Sequence, residues 1–137
     1  MKKLILRAIR RLENAFALRQ SNEDSFYSNR AIRKINEWIE GKGYCATDMT
    51  IAKLCNLLEI SKYELSWVCQ TIYEDSFLSL RKKLRIQEAE RLLVSNPDMP
   101  IAHIGEKVGI TDRTNFRRQF QEITGMSPRI YRELHLK

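Results

Sequence analysis

Two rows of side chains in this 137-residue sequence have the types and spacing to act on a polyanion. In one, Arg113, Thr114, Arg117, Arg118 and Gln121 form the helical face left over once Phe116 and Phe120 point inward. A guanidinium makes two parallel hydrogen bonds to guanine O6 and N7, or grips a phosphate as a charged fork. In the other row, Lys62, Tyr63, Ser66, Trp67 and Gln70 stand opposite Leu65, Val68, Cys69 and Ile72. A tryptophan there can press on thymine methyls or sugars but cannot read guanine as arginine does. Each arginine also has plainer readings, phosphate contact or simple solvation. For Trp67 the plainer reading is core packing against the preceding helix.

Catalysis finds no foothold. There is no Gly-rich phosphate loop and no nucleophile elbow, so no enzyme is expected. Cys45, Cys55 and Cys69 are odd in number and never spaced Cys-x-x-Cys. Only His103 and His135 could join them, so neither a metal nor a cofactor is expected. The thiols read as reduced and mostly packed, in a cytoplasmic protein.

Side chains that meet a polyanion must be held by a scaffold, and the charge pattern says where. The net charge is +7, with 24 basic and 17 acidic residues. Met1 to Gln20 carries six basic residues and one acidic, whereas Asp48 to Glu74 carries a net −2. Further basicity gathers around Arg81 to Arg85 and in the last third. The 43% hydrophobic content suits a soluble globular chain that needs no disulfide or metal staple. Five Gly and three Pro are too few for a turn-rich β-fold, and aliphatic residues along most of the length argue against disorder. No apolar run can span a bilayer, and Arg7, Arg10 and Arg11 interrupt any leader-like core after Met1.

The scaffold reads as all-α. Ile5, Ile9, Leu12 and Phe16 recur at helical spacing, giving an amphipathic helix within Met1 to Gln20. Ser21 to Ser28 reads as a break, and a helix from about Asn29 to Glu40 turns Ile32, Ile35 and Ile39 inward before Gly41 and Gly43. An internal repeat follows. Asp48-Met49-Thr50-Ile51-Ala52 recurs as Asp98-Met99-Pro100-Ile101-Ala102, and Leu65, Cys69, Ser76 and Arg81 recur as Phe116, Phe120, Ser127 and Arg132. In the first copy Thr50 caps a short helix with Ile51, Leu54, Cys55 and Leu58 inward, and Ser61 with Glu64 forms a capping box for the next. In the second, Pro100 opens a helix, Gly109 supplies a left-handed turn residue, Thr111 or Asp112 caps the next helix, and Gly125 ends it. Short helix, tight turn, capped second helix is the helix-turn-helix unit. Many helical proteins contain one such corner without touching DNA; two in tandem on a basic chain say much more.

The run from Ile101 to Ile110, then Phe116, Phe120 and Thr124-Gly125-Met126-Ser127-Pro128-Arg129-Ile130-Tyr131-Arg132, resembles the signature of the AraC/XylS transcription regulators. Arg85 to Leu93 is similar to that family's linker helix, and the match covers about Asp48 to Leu134. The resemblance implies an all-α DNA-binding domain over 29–137, after an N-terminal amphipathic helix and linker at 1–28. Its two helix-turn-helix subdomains, about 48–74 and 98–125, are joined by a linker helix over about 77–95. It implies a sequence-specific regulator of double-stranded DNA, an activator by commoner family habit through RNA polymerase, that sets recognition helices in successive major grooves. Base-reading positions then fall on Arg113, Thr114 and Arg118, and on Tyr63, Ser66 and Trp67. The first copy departs from the pattern, with Trp67 where Arg is common, Glu74 where Gly usually ends the helix, Cys69 for a large aromatic and Cys55 for Ala or Gly. It is expected to bind more weakly, or to read shape and methyl groups.

Further expectations remain. Arg81, Lys82 and Lys83 are candidate phosphate contacts, with a solvated face as the plainer reading. Arg85 suits an ion pair with Glu59 or Glu88, and Arg129 and Arg132 suit anchoring of the last helix or contact with the DNA backbone. The stripe on the first helix packs on its own domain, pairs with a second copy as a homodimer, lies on a membrane surface, which fits a DNA binder poorly, or belongs to a disordered arm or a fragment of a lost domain. The rival function is a helical protein–protein interaction module that has kept the fold with weakened DNA binding. The chain has no room for the sensor domain most of the family carries, so it is either a short stand-alone regulator or part of a longer one.

Overall fold

The computed structural model describes residues 4–11 and 23–136, with side chains in the second stretch from Asn29 onward. All regular structure among them is helical: α1 (residues 4–11), α2 (Glu23–Glu40), α3 (Ile51–Leu58), α4 (Lys62–Ile72), α5 (Phe77–Ser95), α6 (Ile101–Lys107), α7 (Arg113–Thr124) and α8 (Pro128–His135). A 3-10 turn occupies Gly43–Cys45. Leu12 and Phe16 of the expected N-terminal stripe lie outside the described residues. The chain forms two compact units: residues up to Gly43 with Met49–Leu80, and Tyr44–Asp48 with Arg81 onward.

In the first unit α2 packs on α3 and α4 through Ala31, Ile32, Ile35 and Ile39, all buried. The break expected over Ser21 to Ser28 is corrected, because α2 already begins at Glu23. Helix propensity is a weak prior, and a segment whose downstream turns dock an isoleucine stripe carries its polar start along. The helix ends where Lys42, not a glycine, takes the left-handed conformation (φ 58°). Gly43 is required for space, since a Cβ there would fall inside the Trp38 ring. Thr50 Oγ1 caps α3 by accepting from Lys53 N at 3.1 Å. The α3–α4 turn is made by Glu59 at φ 55°, and the Ser61–Glu64 box closes with two 3.0 Å hydrogen bonds. Leu65, Val68, Cys69 and Ile72 then enter the core as their spacing requires.

The second unit is built on Ile86, Ala89, Leu93, Ile104, Val108, Ile110, Phe116 and Phe120, none more than 5% exposed. Gly105 lets α6 approach α7 closely, since a Cβ there would lie 3.0 Å from Phe116 and from the Ile110 carbonyl. Gly109 (φ 90°) turns the chain, Asp112 rather than Thr111 caps α7 by accepting from Asn115 N at 2.7 Å, and Gly125 (φ 82°) ends it. Arg85 takes a different structural role from the expected ion pair. Its Nε and Nη2 donate to the Tyr44 and Ala46 carbonyls at 2.6 and 2.8 Å, while the carboxylate of buried Glu88 is held by Arg91 Nε at 2.6 Å. Carbonyls in a non-repetitive segment need donors, and the half-buried guanidinium satisfies two at once. Arg132 does the same for Leu93 and Asn96 at 2.9 and 3.1 Å, anchoring α8 to the end of α5.

Candidate nucleic-acid interface

In α7 the burial of Phe116 and Phe120 fixes the rotation of the helix, and edge-to-face packing of Phe120 on Tyr131 of α8 (centroids 5.5 Å apart) fixes it further. Arg113, Thr114, Arg117, Arg118 and Gln121 are consequently all exposed on the outer face. Arg113 and Thr114 sit in the first turn, at the end a helix-turn-helix unit directs into a groove. Arg113 and Arg117 form no ion pair among the described residues. With Arg129 they line a groove of about 500 Å³ whose other walls include Ile101, Ala102, Phe116 and Pro128. Arg129 also pairs with Glu133 at 3.2 Å.

Arg118 is held differently. Its Nη2 donates to Asn115 Oδ1 at 2.6 Å, and its Nε lies 4.0 Å from Glu122 Oε1. The other oxygen of Glu122 accepts from Lys82 Nζ at 2.7 Å, and this bond holds the Glu122 carboxyl below its ordinary pKa. Asn115 and Glu122 are not among the residues expected from the sequence. The i, i+4 spacing of Arg118 and Glu122 is a readable signal for their pair; the Lys82–Glu122 pair, 40 residues apart, has none. Among the basic residues opening α5, Lys82 is therefore engaged, Lys83 is exposed, and Arg81 is half-buried with burial lowering its pKa.

In α4 the capping box and the four buried core residues likewise set the outer face. Lys62, Tyr63, Ser66 and Gln70 are exposed, Tyr63 by 78%, whereas Trp67 is half-buried. The helix thus gathers one cation, three neutral hydrogen-bonding groups and an indole, with Glu64 in its first turn. Its chemistry is neutral and aromatic where that of α7 is cationic. Among the described residues no three His, Cys, Asp or Glu side chains gather as a metal would need. Cys55 and Cys69 are buried free thiols, and burial pushes Cys69 up to about 12. No helix among those residues is long and apolar enough to cross a membrane.

Residues 54–134 match the family described as a helix-turn-helix domain. The arabinose operon regulatory protein of Escherichia coli is 36% identical over 86 residues, covering 63% of this chain and 29% of that protein. The raffinose operon transcriptional regulatory protein RafR of Pediococcus pentosaceus is 32% identical over 88 residues, covering 64% of this chain and 31% of that protein. The chain therefore spans under a third of the length of the curated relatives it matches. Among solved structures, the C-terminal domain of AraT, a response regulator from Geobacillus stearothermophilus, superposes with a TM-score of 0.70 at 29% identity. That match covers 78% of this chain and 87% of that one. A family match over most of the chain, on two capped helix-turn-helix corners, leaves one assignment: the chain belongs to the AraC-type helix-turn-helix family.

Proposed function

We propose that this chain is a sequence-specific regulator of transcription that acts by binding double-stranded DNA and catalyses no reaction. The observation that carries the reading is the exposed row Arg113, Arg117, Arg118 on a helix whose rotation Phe116 and Phe120 lock. Each recognition helix lays its N-terminal half in a major groove. In α7 the arginines supply bidentate contacts to guanine and charged contacts to phosphate; in α4, Tyr63, Ser66 and Trp67 supply hydroxyl and methyl contacts. The second unit carries most of the affinity and specificity. Activation through contact with RNA polymerase, and pairing of two copies through the N-terminal helix, extend the same reading and draw support from the family's commoner behaviour and from the exposed Ile5 and Ile9.

The test is a titration of the whole chain with a random-sequence duplex at two salt concentrations. Neutralised phosphates release counterions, so binding should weaken steeply as salt rises, with a slope of about −0.9 per phosphate contacted. Flat or absent binding at both concentrations would leave the protein–protein module as the better reading.

A further inference from the structure

Glu122 is out of place on a face meant for DNA. It is half-exposed, one turn beyond Arg118, and its charge repels every phosphate near it. Yet it is the meeting point of a four-residue chain: Asn115 Oδ1 accepts from Arg118 Nη2 at 2.6 Å, Arg118 Nε lies 4.0 Å from Glu122 Oε1, and Lys82 Nζ donates to Glu122 Oε2 at 2.7 Å. Asn115 is itself steadied by Gln119 Nε2 at 3.0 Å.

The geometry points to Glu122 as a positioning residue that sets the sequence specificity of α7 through Arg118. The inference rests on the DNA-reading role proposed above. Two effects follow from one carboxylate. A long arginine on a bare surface explores many rotamers and collapses onto the nearest phosphate, where it carries no sequence information. Flanked by Asn115 on one side and Glu122 on the other, the guanidinium is ordered before DNA arrives, and its remaining N–H donors are left for a base edge. Glu122 also repels phosphate whatever the sequence, so binding without the Arg118–base contact is penalised while correct binding recovers the loss. Lys82 keeps the carboxylate in place from α5; in this arrangement its first partner is Glu122, not phosphate.

The experiment uses the full chain and two duplexes of equal length, one enriched by the wild type from a random library and one left random. Glu122→Gln, Arg118→Ala and Glu106→Gln are compared by fluorescence anisotropy at fixed salt. Glu106 is another exposed carboxylate of this unit, so its variant measures the loss of one negative charge alone. Glu122→Gln should tighten binding to the random duplex and shrink the specific-to-random ratio roughly tenfold, the scale of one good bidentate base contact. Repeating the enrichment should relax preference at the same base pair that Arg118→Ala relaxes. If Glu122→Gln shifts both duplexes by one factor, as Glu106→Gln does, Glu122 is only a surface charge and the inference falls while DNA reading stands. If Arg118→Ala leaves the ratio untouched, Arg118 is no reader and the inference also falls. A wild type that enriches no sequence overturns the DNA-reading role itself. Because Glu122 is half-exposed, its variant keeps the fold intact.

Discussion

Glu59 and Gly109 hold the same position in the two helix-turn-helix units, and both adopt the left-handed backbone, at φ 55° and 90°. The equivalence repeats at Glu74 and Gly125, at φ 54° and 82°. The first unit thus carries glutamates where the second has the residue this conformation favours. The glutamate carboxylates have uses of their own. Glu59 lies 3.5 Å from Arg30 and 3.9 Å from Lys34, and the same two cations donate to the Glu59 and Leu58 carbonyls at 3.0 and 2.8 Å.

Substitutions at this pair should have opposite signs. Glu59→Gly relieves left-handed strain of about 1–2 kcal/mol, and loses exposed ion pairs worth at most about 1 kcal/mol and some chain entropy. The net is a gain of a few tenths to about 1 kcal/mol. Gly109→Ala incurs that strain, and its Cβ would also meet the Cys45 carbonyl oxygen at 2.7 Å. Its cost should exceed about 2 kcal/mol, strain and overpacking together. Gly125→Ala meets nothing within 4 Å and should fall between. Urea midpoints of the three variants check the order, and a Gly109→Ala cost equal to that of Gly125→Ala would refute it.

The ranking of the two units gives a second expectation. Arg118→Ala should weaken binding at a selected site by about 1–3 kcal/mol and relax preference at one or two base pairs. Trp67→Ala should cost less, because the indole is half-buried and reads no unique base pattern. Loss of binding in the Trp67 variant with an unaffected Arg118 variant would reverse the assignment.

What the sequence makes legible here is local. Caps at Thr50 and Ser61, the left-handed turn at Gly109, and the inward faces through Leu65 and Phe116 are all written in residues a few places apart, where helical spacing fixes geometry. Asp112 and Thr111 both suit a cap, and only backbone geometry separates them. Arg85 shows the limit. A guanidinium three residues from Glu88 reads as an ion pair, whereas its donors reach carbonyls 39 and 41 residues away. Arg132 anchors the last helix as expected, but through the Leu93 and Asn96 carbonyls, which no spacing singles out. Backbone acceptors carry no side-chain signal. Lys82 and Glu122 meet through side chains 40 residues apart, a separation that helical spacing does not relate, and the polar start of α2 is overruled by its isoleucine stripe.

Alkaline pH should unfold the protein through groups that resist ionising when folded. Burial pushes Cys69 and Tyr73 up to about 12, from ordinary values of 9.0 and 10.0, and burial with a Glu90 hydrogen bond does the same for Tyr131. Below pH 9 both states hold these protons, so their contribution is constant. Above it the unfolded chain releases protons the folded chain keeps, and stability falls steadily until about pH 12. Urea midpoints taken at neutral pH and at two alkaline values should show that decline, with a shallower slope in Cys69→Ala. A flat profile through the alkaline range would show that these groups ionise freely in the fold.

The last expectation concerns α1, whose two faces have different partners. Its inner side buries Ala8 and sends Arg11 to the C-terminal end of α4, where Nη1 donates to the Ile72 carbonyl at 3.3 Å and Nη2 pairs with Glu74. A cation at the negative end of a helix is favoured there, and a helix this short has little stability of its own. Arg11→Ala and Glu74→Gly should therefore both speed amide exchange in residues 5–11 and leave the rest of the protein protected. The outer side leaves Ile5 and Ile9 about 40% exposed, 41% and 42%, with Leu6 at 61%. A second copy is the occupant a DNA-binding role favours, since two chains would bring four recognition helices to one repeated site. Light scattering of the whole chain, of Ile5→Glu with Ile9→Glu, and of a chain starting at Ser21 tests it. A dimer lost in both altered forms establishes the stripe as the interface. A monomer throughout, or a dimer that survives truncation, excludes it, and α1 is then only a brace on the end of the first recognition helix.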